Sequence, residues 1–265
     1  MNMMRFTTMK TKLRKYPSIF LILLLAISSC FLTGCVNQHP KDSKKSSQGE
    51  SVETMLEITD PKEKQAVLNA KAKVKALSGN PRIVATSPAV ADICDKLDLD
   101  LVGVPKSSVS KIPSRYKKVK KVGLAMSPDM EIVSSLNPDW ILAPSSLETD
   151  LKPKFEELKN TEYAFLNLRS VQGMYRSVQE LGEIFGKQQE AEKMTKEFTT
   201  FYKSYTKRNK NKKHPKVLVL MGLPGSYVIA TENSYVGSLV KLAGGENVYQ
   251  NTDQEFLTVN TEDMK

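Results

Sequence analysis

The chain has 265 residues, with 39 basic and 29 acidic side chains and a formal charge of +10. Its three cysteines support no disulfide framework. The basic residues do not alternate with aromatic residues, as they do on a platform for single-stranded nucleic acid, so we expect no nucleic-acid partner.

The N-terminus joins a basic segment to an apolar one. Five basic residues and no acidic residue precede the apolar run at 19–32, and Leu32-Thr33-Gly34-Cys35 closes that run. This order is typical of a secretory signal. A cysteine directly after Leu-Thr-Gly makes it a lipoprotein signal (a lipobox), in which the thiol of Cys35 takes a diacylglycerol. The alternatives are an uncleaved anchor, an ordinary signal with an incidental cysteine, or Cys30 as the modified residue.

Cleavage before Cys35 predicts a lipid-anchored protein on the outer face of the cell membrane. The signal segment 1–35 ends with the lipobox at Cys35, and cleavage before Cys35 leaves 34 basic against 29 acidic residues, a charge of +5. The polar segment at 36–60 is predicted to be a flexible tether that lifts the folded part off the membrane. Much of the remaining positive charge lies in the run 207–213, which we expect to be a solvated face or a loop near anionic lipid.

Beyond a predicted helix from Pro61 to about Leu77, short apolar runs alternate with helical periodicity. The predicted strands are 82–86, 101–104, 140–143 and 163–166. The predicted helices start at Ser87-Pro88, where Ser87 is the N-cap, at Ser127, which can cap the second helix, and near Leu151. This alternation predicts a parallel sheet covered on both faces, forming a first lobe at 80–169. Cys94 falls on the apolar side of the first of these helices, which favours a buried core residue over a reactive thiol.

The segment 170–210 carries apolar residues at steps of three and four and predicts one long amphipathic linking helix. Gly186 is the expected place of a kink. A second lobe at 214–265 follows, with strands at 217–221 and 227–230 and a helix from about Tyr235 to Ala243, ended by Gly244-Gly245.

The fold class predicted from these elements is α/β, with two Rossmann-like lobes joined by one long helix. Near its end the chain repeats a helix start, with Asn260 or Thr261 as the cap. The chain then stops at Lys265, which would leave the sheet with an open edge. We therefore expect the second lobe to be truncated.

No catalytic motif is present in the sequence. There is no Gly-x-Ser-x-Gly elbow or His-Glu-x-x-His pair, and Gly222-Leu223-Pro224-Gly225-Ser226 lacks the lysine of a phosphate-binding loop. The two histidines are His39 in the tether and His214, which we interpret as a loop residue. An enzyme is not expected.

Several motifs carry a resemblance to a known family. The lipobox, Arg82-Ile83-Val84 with Ser87-Pro88, and the segment 122–129 (VGLAMSPD) resemble class III substrate-binding proteins of ABC importers. The segments 214–222 (HPKVLVLMG), 224–227 (PGSY) and 244–248 (GGENV) are similar to haem-binding lipoproteins of Isd-type uptake systems in Gram-positive bacteria. The resemblance covers roughly residues 80–265.

That resemblance implies a monomeric receptor that clamps haem b between its lobes and delivers it to the permease and ATPase of an ABC importer for iron acquisition. The family binds the iron through a methionine of lobe one and a histidine of lobe two. The methionine corresponds to Met126, whose thioether is a soft, neutral ligand that suits haem iron. The alternative is that Met126 only packs at a helix entry, while Met130 is expected in the core. The histidine lies beyond Lys265 in the family, and nothing in this chain matches it.

The haem propionates need hydrogen-bond donors, which helix N-termini and hydroxyl groups can supply. The candidates at the carboxyl edge of the first sheet are Thr86, Ser87, Ser107, Ser108 and Ser127, and Tyr227 is the candidate in lobe two. Each serine or threonine could instead be a plain cap. The alternative ligands are a ferric siderophore or a corrinoid, for which Arg82, Arg115, Arg169 and Trp140 are the available side chains. A third hypothesis is a truncated receptor that binds haem weakly through lobe one.

Overall fold

A twisted sheet with helices on both faces forms the first lobe. The structure, a computed structural model, describes residues 5–6, 52–223 and 226–258. Cys35 and the helix start near Asn260 lie outside the described residues. In chain order the elements up to the middle of the chain are β1 (Arg5–Phe6), α1 (Val52–Leu56), α2 (Pro61–Lys75), β2 (Ile83–Ala85), α3 (Pro88–Lys96), β3 (Leu101–Val104), β4 (Lys120–Lys121), β5 (Gly123–Leu124), β6 (Ser127–Pro128), α4 (Met130–Ser135), β7 (Trp140–Pro144), α5 (Glu148–Glu156) and β8 (Glu162–Leu166).

The strand order of the main sheet is β1-β8-β7-β2-β3-β4. All neighbours are parallel except β1, which pairs antiparallel with β8. The central strand β7 alternates its side chains between the faces: Trp140 and Leu142 belong to one hydrophobic cluster, and Ile141 and Ala143 to the other. Helices α2 and α3 pack on the first face, and α4 and α5 on the second. The predicted parallel sheet with two covered faces is confirmed.

The first helix of this lobe begins where its capping residues predict. The Ser87 hydroxyl accepts a hydrogen bond from the Val90 amide at 3.3 Å, and Pro88 occupies the first helical position. At the chain's N-terminal side the last part of the predicted tether is helical instead, because α1 buries Val52 and Leu56. The rest of the predicted tether, before Val52, lies outside the described residues.

Cys94 is buried on α3, and burial raises the pKa of its thiol to about 12. We expect the native protein to react with iodoacetamide roughly 100-fold or more slowly at this residue than the unfolded chain, because little thiolate forms and access is closed. Mass spectrometry of the Cys94 peptide after timed labelling at pH 8 measures this. Labelling of the native protein at the unfolded rate would contradict it.

The predicted linking helix is broken in two. Helix α6 (Val171–Phe185) ends at Gly186, whose φ of 70° is left-handed, and α7 (Gln188–Asn209) begins after Lys187. The two helices fold back on each other: Gly182 packs against Ala191, and the rings of Tyr175 and Phe198 stack 4.5 Å apart. The prediction of one continuous helix was wrong because glycine in the left-handed region ends a helix rather than bending it. The 22-residue α7 is the long helix that leads into the second lobe.

In its described residues the second lobe contains a small antiparallel sheet and one helix. Its elements are β9 (Lys216–Val217), β10 (Leu220–Leu223), β11 (Ser226–Ala230), α8 (Tyr235–Leu242), β12 (Glu246–Asn247) and β13 (Phe256–Thr258). The predicted strand at 217–221 forms two short strands, since β9 pairs with β12 while β10 pairs with β11. The described part of the chain contains no helix with the length and apolar character needed to span a membrane.

Three polar contacts join this lobe to the helical hairpin and the first lobe. The Val171 amide donates to the Ser238 hydroxyl at 3.1 Å, and the Tyr205 hydroxyl donates to the Ala243 carbonyl at 2.9 Å. Arg169, just after β8, forms an ion pair with Glu255. The two lobes are therefore tied together along the segment where the chain leaves the first sheet.

Candidate functional site

Met126 lies at the tip of a short hairpin at the edge of the first lobe. Strands β5 and β6 pair antiparallel, with Gly123 opposite Pro128 and Leu124 opposite Ser127, so Ala125 and Met126 form the connecting turn. The Met126 side chain is 73% exposed. A thioether at such a position contributes little to the core and is open to a ligand.

Backbone hydrogen bonds hold this hairpin against the carboxyl end of β3. The Val122 amide donates to the Val104 carbonyl at 2.9 Å, and the Lys106 amide donates to the Gly123 carbonyl at 2.6 Å. Gly123 has a φ of 97°, and a Cβ atom there would lie 2.8 Å from the Asp129 amide nitrogen. Glycine is therefore required at this position, and the tip that carries Met126 has a fixed base.

The helix after the hairpin is capped by Asp129, and the prediction of Ser127 as its cap was wrong. The Asp129 carboxylate accepts hydrogen bonds from the Glu131 and Ile132 amides at 3.1 and 3.0 Å. Ser127 lies in β6 and cannot reach these amides, so its exposed side chain is left for other contacts. Met130, the first residue of the helix, packs against the hydrophobic core as predicted.

The predicted hydroxyl donors occupy different environments. Thr86 is buried and its hydroxyl donates to the Leu142 carbonyl at 3.3 Å, and Ser87 is used as the cap of α3. Thr86 donates its hydroxyl proton within the fold and Ser87 is buried, which removes both from the set of free donors. The Ser107 hydroxyl accepts from the Ser110 amide at 3.0 Å, and Ser108 is exposed. The bond between Lys106 and Gly123 places this loop beside the hairpin of Met126.

The second lobe contributes Tyr227, which is half-exposed and lies opposite Gly222 in the β10–β11 pair. His214 is an exposed loop residue, as predicted, and its Nδ1 atom lies 2.7 Å from the Gly244 carbonyl oxygen. Among residues 5–6, 52–223 and 226–258, no group of three or more His, Cys, Asp or Glu side chains is arranged to hold a metal ion. Met126 remains the candidate iron ligand.

Two cavities lie where the lobes and the helical hairpin meet, and the sequence predicted neither. A polar cavity of about 490 Å³ is lined by Asn167, Arg169, Ser170, Gln172, Glu232, Asn233, Ser238, Lys241 and Asp253. An apolar cavity of about 410 Å³ is lined by Ala89, Asp92, Ile93, Lys96, Leu168, Met174, Met194 and Tyr235. The lining residues of each cavity come from elements far apart in sequence. Their apolar members follow the pattern of an ordinary amphipathic helix, so the sequence contains no local signal for either cavity. Neither cavity includes Met126.

The side chains considered for a siderophore are engaged elsewhere. Trp140 is buried in the central strand, and Arg82 donates to the Leu136 carbonyl at 2.7 Å. Arg169 is paired with Glu255 across the lobe junction. Arg115 donates to Asp98 and Asp100 at 2.7 and 2.8 Å, and its guanidinium, with Lys187, holds the pKa of the Asp98 carboxyl below its usual range. Each of these groups therefore has a structural partner.

Comparison with known proteins shows the family to which the chain belongs. The family model "Periplasmic binding protein" matches residues 83–265. The high-affinity heme uptake system protein IsdE of Staphylococcus aureus is 41% identical over 188 residues, which are 71% of this chain and 64% of that protein. This chain thus spans 64% of the length of that relative.

Two solved structures are similar to the fold. An ABC transporter substrate-binding protein from Listeria monocytogenes is 46% identical, with a TM-score of 0.65 over 70% of this chain and 71% of that one. S. aureus IsdE complexed with heme is 40% identical, with a TM-score of 0.64 over 69% of this chain and 71% of that one. These matches confirm the predicted α/β class, while the linking segment is two helices rather than one.

Proposed function

Because this chain belongs to the periplasmic binding protein family, we propose that it is the substrate-binding lipoprotein of an ABC importer that takes up haem. It would be anchored through lipid on Cys35 to the outer face of the membrane. It would bind haem b as a monomer between its lobes and deliver it to the permease and ATPase of the importer, for iron acquisition. Sequence identity of 41% to a heme uptake protein of S. aureus supports haem as the ligand.

The observation that carries the proposal is the position of Met126. Its thioether is exposed at the tip of a hairpin whose base is fixed by backbone bonds and by Gly123. A soft neutral sulfur ligand suits haem iron, and a rigid base lowers the entropy lost when the ligand binds. Ser107, Ser108 and Ser127 on the same edge, and Tyr227 on the second lobe, are the proposed propionate donors.

The arginine side chains favour haem over a ferric siderophore as the ligand, because they already have partners. Arg82 and Arg115 have partners within the first lobe, and Arg169 is paired with Glu255. An anionic siderophore would have to break one of these contacts to be bound by one of these arginines, whereas a methionine-ligated haem needs none of the three. Haem is favoured over a corrinoid by the 41% identity to the heme uptake protein of S. aureus.

Replacing Met126 with leucine is expected to lower haem affinity by about 10-fold or more, since the volume is kept but the sulfur ligand is removed. Titration with haemin, followed by the Soret band, measures the affinity and reports the loss of the iron–sulfur bond as a changed band position. Met130→Leu is the matched control, because Met130 is the core methionine one turn away. If the titration of Met126→Leu is unchanged, the iron ligand is not Met126.

A further inference from the structure

We propose that the basic end of α7 docks on anionic lipid headgroups of the membrane that carries the anchor. The docking surface, named here the basic surface, consists of Lys207, Arg208, Lys210, Lys212, Lys213 and Lys216. The inference rests on the proposed function in one respect, the lipid on Cys35. It adds a second, electrostatic contact between the folded part and the membrane.

The basic surface is exposed and unpaired. All six side chains are exposed, and residues 207–216 contain no acidic residue. In the described part of the chain, none of the six side chains makes an ion pair or a side-chain hydrogen bond. The neighbouring acidic group is Glu246, which stands opposite Lys216 in the β9–β12 pair. One carboxylate against six cations leaves the basic surface with a net positive charge.

The α7 dipole accounts for only part of this cluster. Lys207 and Arg208 lie in the last turn of α7, where cations are favoured by the negative end of the dipole. That effect falls off within the turn, and it does not reach Lys212 or Lys216. Six exposed cations within ten residues, with no acidic residue among them, leave a concentrated positive charge that a polyanion can neutralise.

The position of the basic surface points to the membrane as that polyanion. Helix α1 lies beside α7, where Glu53 forms an ion pair with Lys203, one helical turn before Lys207. One turn is about 5.4 Å, so the chain enters the described fold close to the basic surface. Cys35 is 17 residues before Val52, a segment that can reach at most about 60 Å. The anchor therefore keeps this surface within reach of the headgroups.

Distance explains why both contacts are needed. Electrostatic attraction to a membrane acts only over a Debye length of about 8 Å at physiological salt. A lipid anchor keeps the basic surface close enough to enter that range repeatedly, and each lysine near an anionic membrane then adds to the attraction. Neutralising three of the six charges should lower the ratio of docked to undocked protein on the order of 100-fold.

The test uses the full chain, processed in a bacterium, purified from membranes and reconstituted into vesicles. A fluorophore is attached through Lys210→Cys on the basic surface, or through Lys118→Cys on the first lobe as control. The buried Cys94 does not compete for the label. Vesicles contain phosphatidylglycerol or only phosphatidylcholine, with a quencher on the headgroups.

The expected result is quenching at position 210 in phosphatidylglycerol vesicles, lost in 0.5 M salt, and none at position 118. The triple variant Lys207→Gln, Lys212→Gln, Lys213→Gln should lose it. The matched triple Lys117→Gln, Lys118→Gln, Lys120→Gln removes equal charge from another exposed lysine group, and should keep the quenching at position 210. Trp140 fluorescence confirms that each variant is folded.

Equal quenching at both positions, quenching without anionic lipid, or an unchanged triple variant would overturn the inference. Binding to a soluble polyanion without quenching on vesicles would overturn it in favour of a different partner. Two measurements on the same protein distinguish a failure of the docking inference from a failure of the proposed function. A mature N-terminal peptide without lipid on Cys35 rejects the anchor and the docking together, whereas failure to bind haemin rejects only the haem receptor.

Discussion

Replacing Gly237 with alanine is expected to unfold the second lobe while the first lobe stays folded. A Cβ atom at this position would overlap the Thr231 carbonyl oxygen and lie 2.8 Å from the Glu232 Cα atom. Both are backbone atoms, and Thr231 is held in place because its amide donates a hydrogen bond to the Glu255 carbonyl at 2.9 Å. Since neither can move without breaking the sheet, the cost should reach about 3 kcal/mol or more. A lobe with so small a core has little stability to lose.

The two lobes can be followed separately. Trp140 is the only tryptophan in the sequence and lies in the first lobe, so its fluorescence reports that lobe alone. Far-UV circular dichroism reports both. The Gly237→Ala variant should lose part of its dichroism at a lower urea concentration than the one at which its Trp140 fluorescence changes. The midpoint of the Trp140 transition should equal that of the wild type. Gly222→Ala is the control, because its Cβ would meet only the Tyr227 ring, at 3.8 Å. Similar transitions for both variants would show that the overlap at Gly237 is relieved in solution.

The parts of the fold that followed from the sequence are those with strong local signals. Ser87 and Pro88 start α3 because cap and first-turn preferences agree with the apolar pattern behind them. The alternation of apolar runs and amphipathic segments likewise predicted the parallel sheet. At Gly186 the sequence identified the position of the break but not that the chain folds back, since that depends on Tyr175 stacking on Phe198 across the hairpin.

Other features are decided by competition between neighbours. Ser127 and Asp129 are both good caps, and Asp129 caps α4 because the pairing of β5 with β6 takes Ser127 into a strand. Local preference cannot rank two such residues without knowing that the hairpin forms. The same limit applies to the candidate site. Met126 could be identified through the family resemblance, whereas its exposure and the fixed base under it come from contacts with Lys106 and Val104.

The pattern of apolar and polar residues in the sequence also did not predict a buried carboxyl group. Glu180 lies on α6 between apolar residues, is fully buried, and neither of its oxygens has a hydrogen-bond donor among the described residues. Glu63 of α2 is also buried. The Arg176 guanidinium on the same helix donates to the Met55 carbonyl at 2.6 Å. Two carboxyl groups and one guanidinium thus share the space between α1, α2 and α6.

Burial first, and the contact with Glu63 second, raise the pKa of Glu180 to about 10, so the folded protein keeps this group neutral at pH 7. In the unfolded chain an ordinary glutamate releases its proton near pH 4.5. The folded state therefore binds more protons between these values, and its stability falls as the pH rises from about 5 towards 10. We expect Glu180→Gln, which cannot ionise and can donate to Glu63, to remove most of this pH dependence.

The gain in the free energy of unfolding should be on the order of 1–3 kcal/mol at pH 9 and smaller at pH 6. Urea unfolding followed by Trp140 fluorescence at both pH values measures it. Glu183→Gln is the control on the same helix, because hydrogen bonds from Lys71 and Gln188 hold the pKa of Glu183 below its usual range. That variant removes a stabilising contact present above pH 4.5, so it should show no gain at pH 9. Equal pH slopes for the wild type and Glu180→Gln would mean that Glu180 ionises in the folded protein, with water or Arg176 reaching its carboxylate.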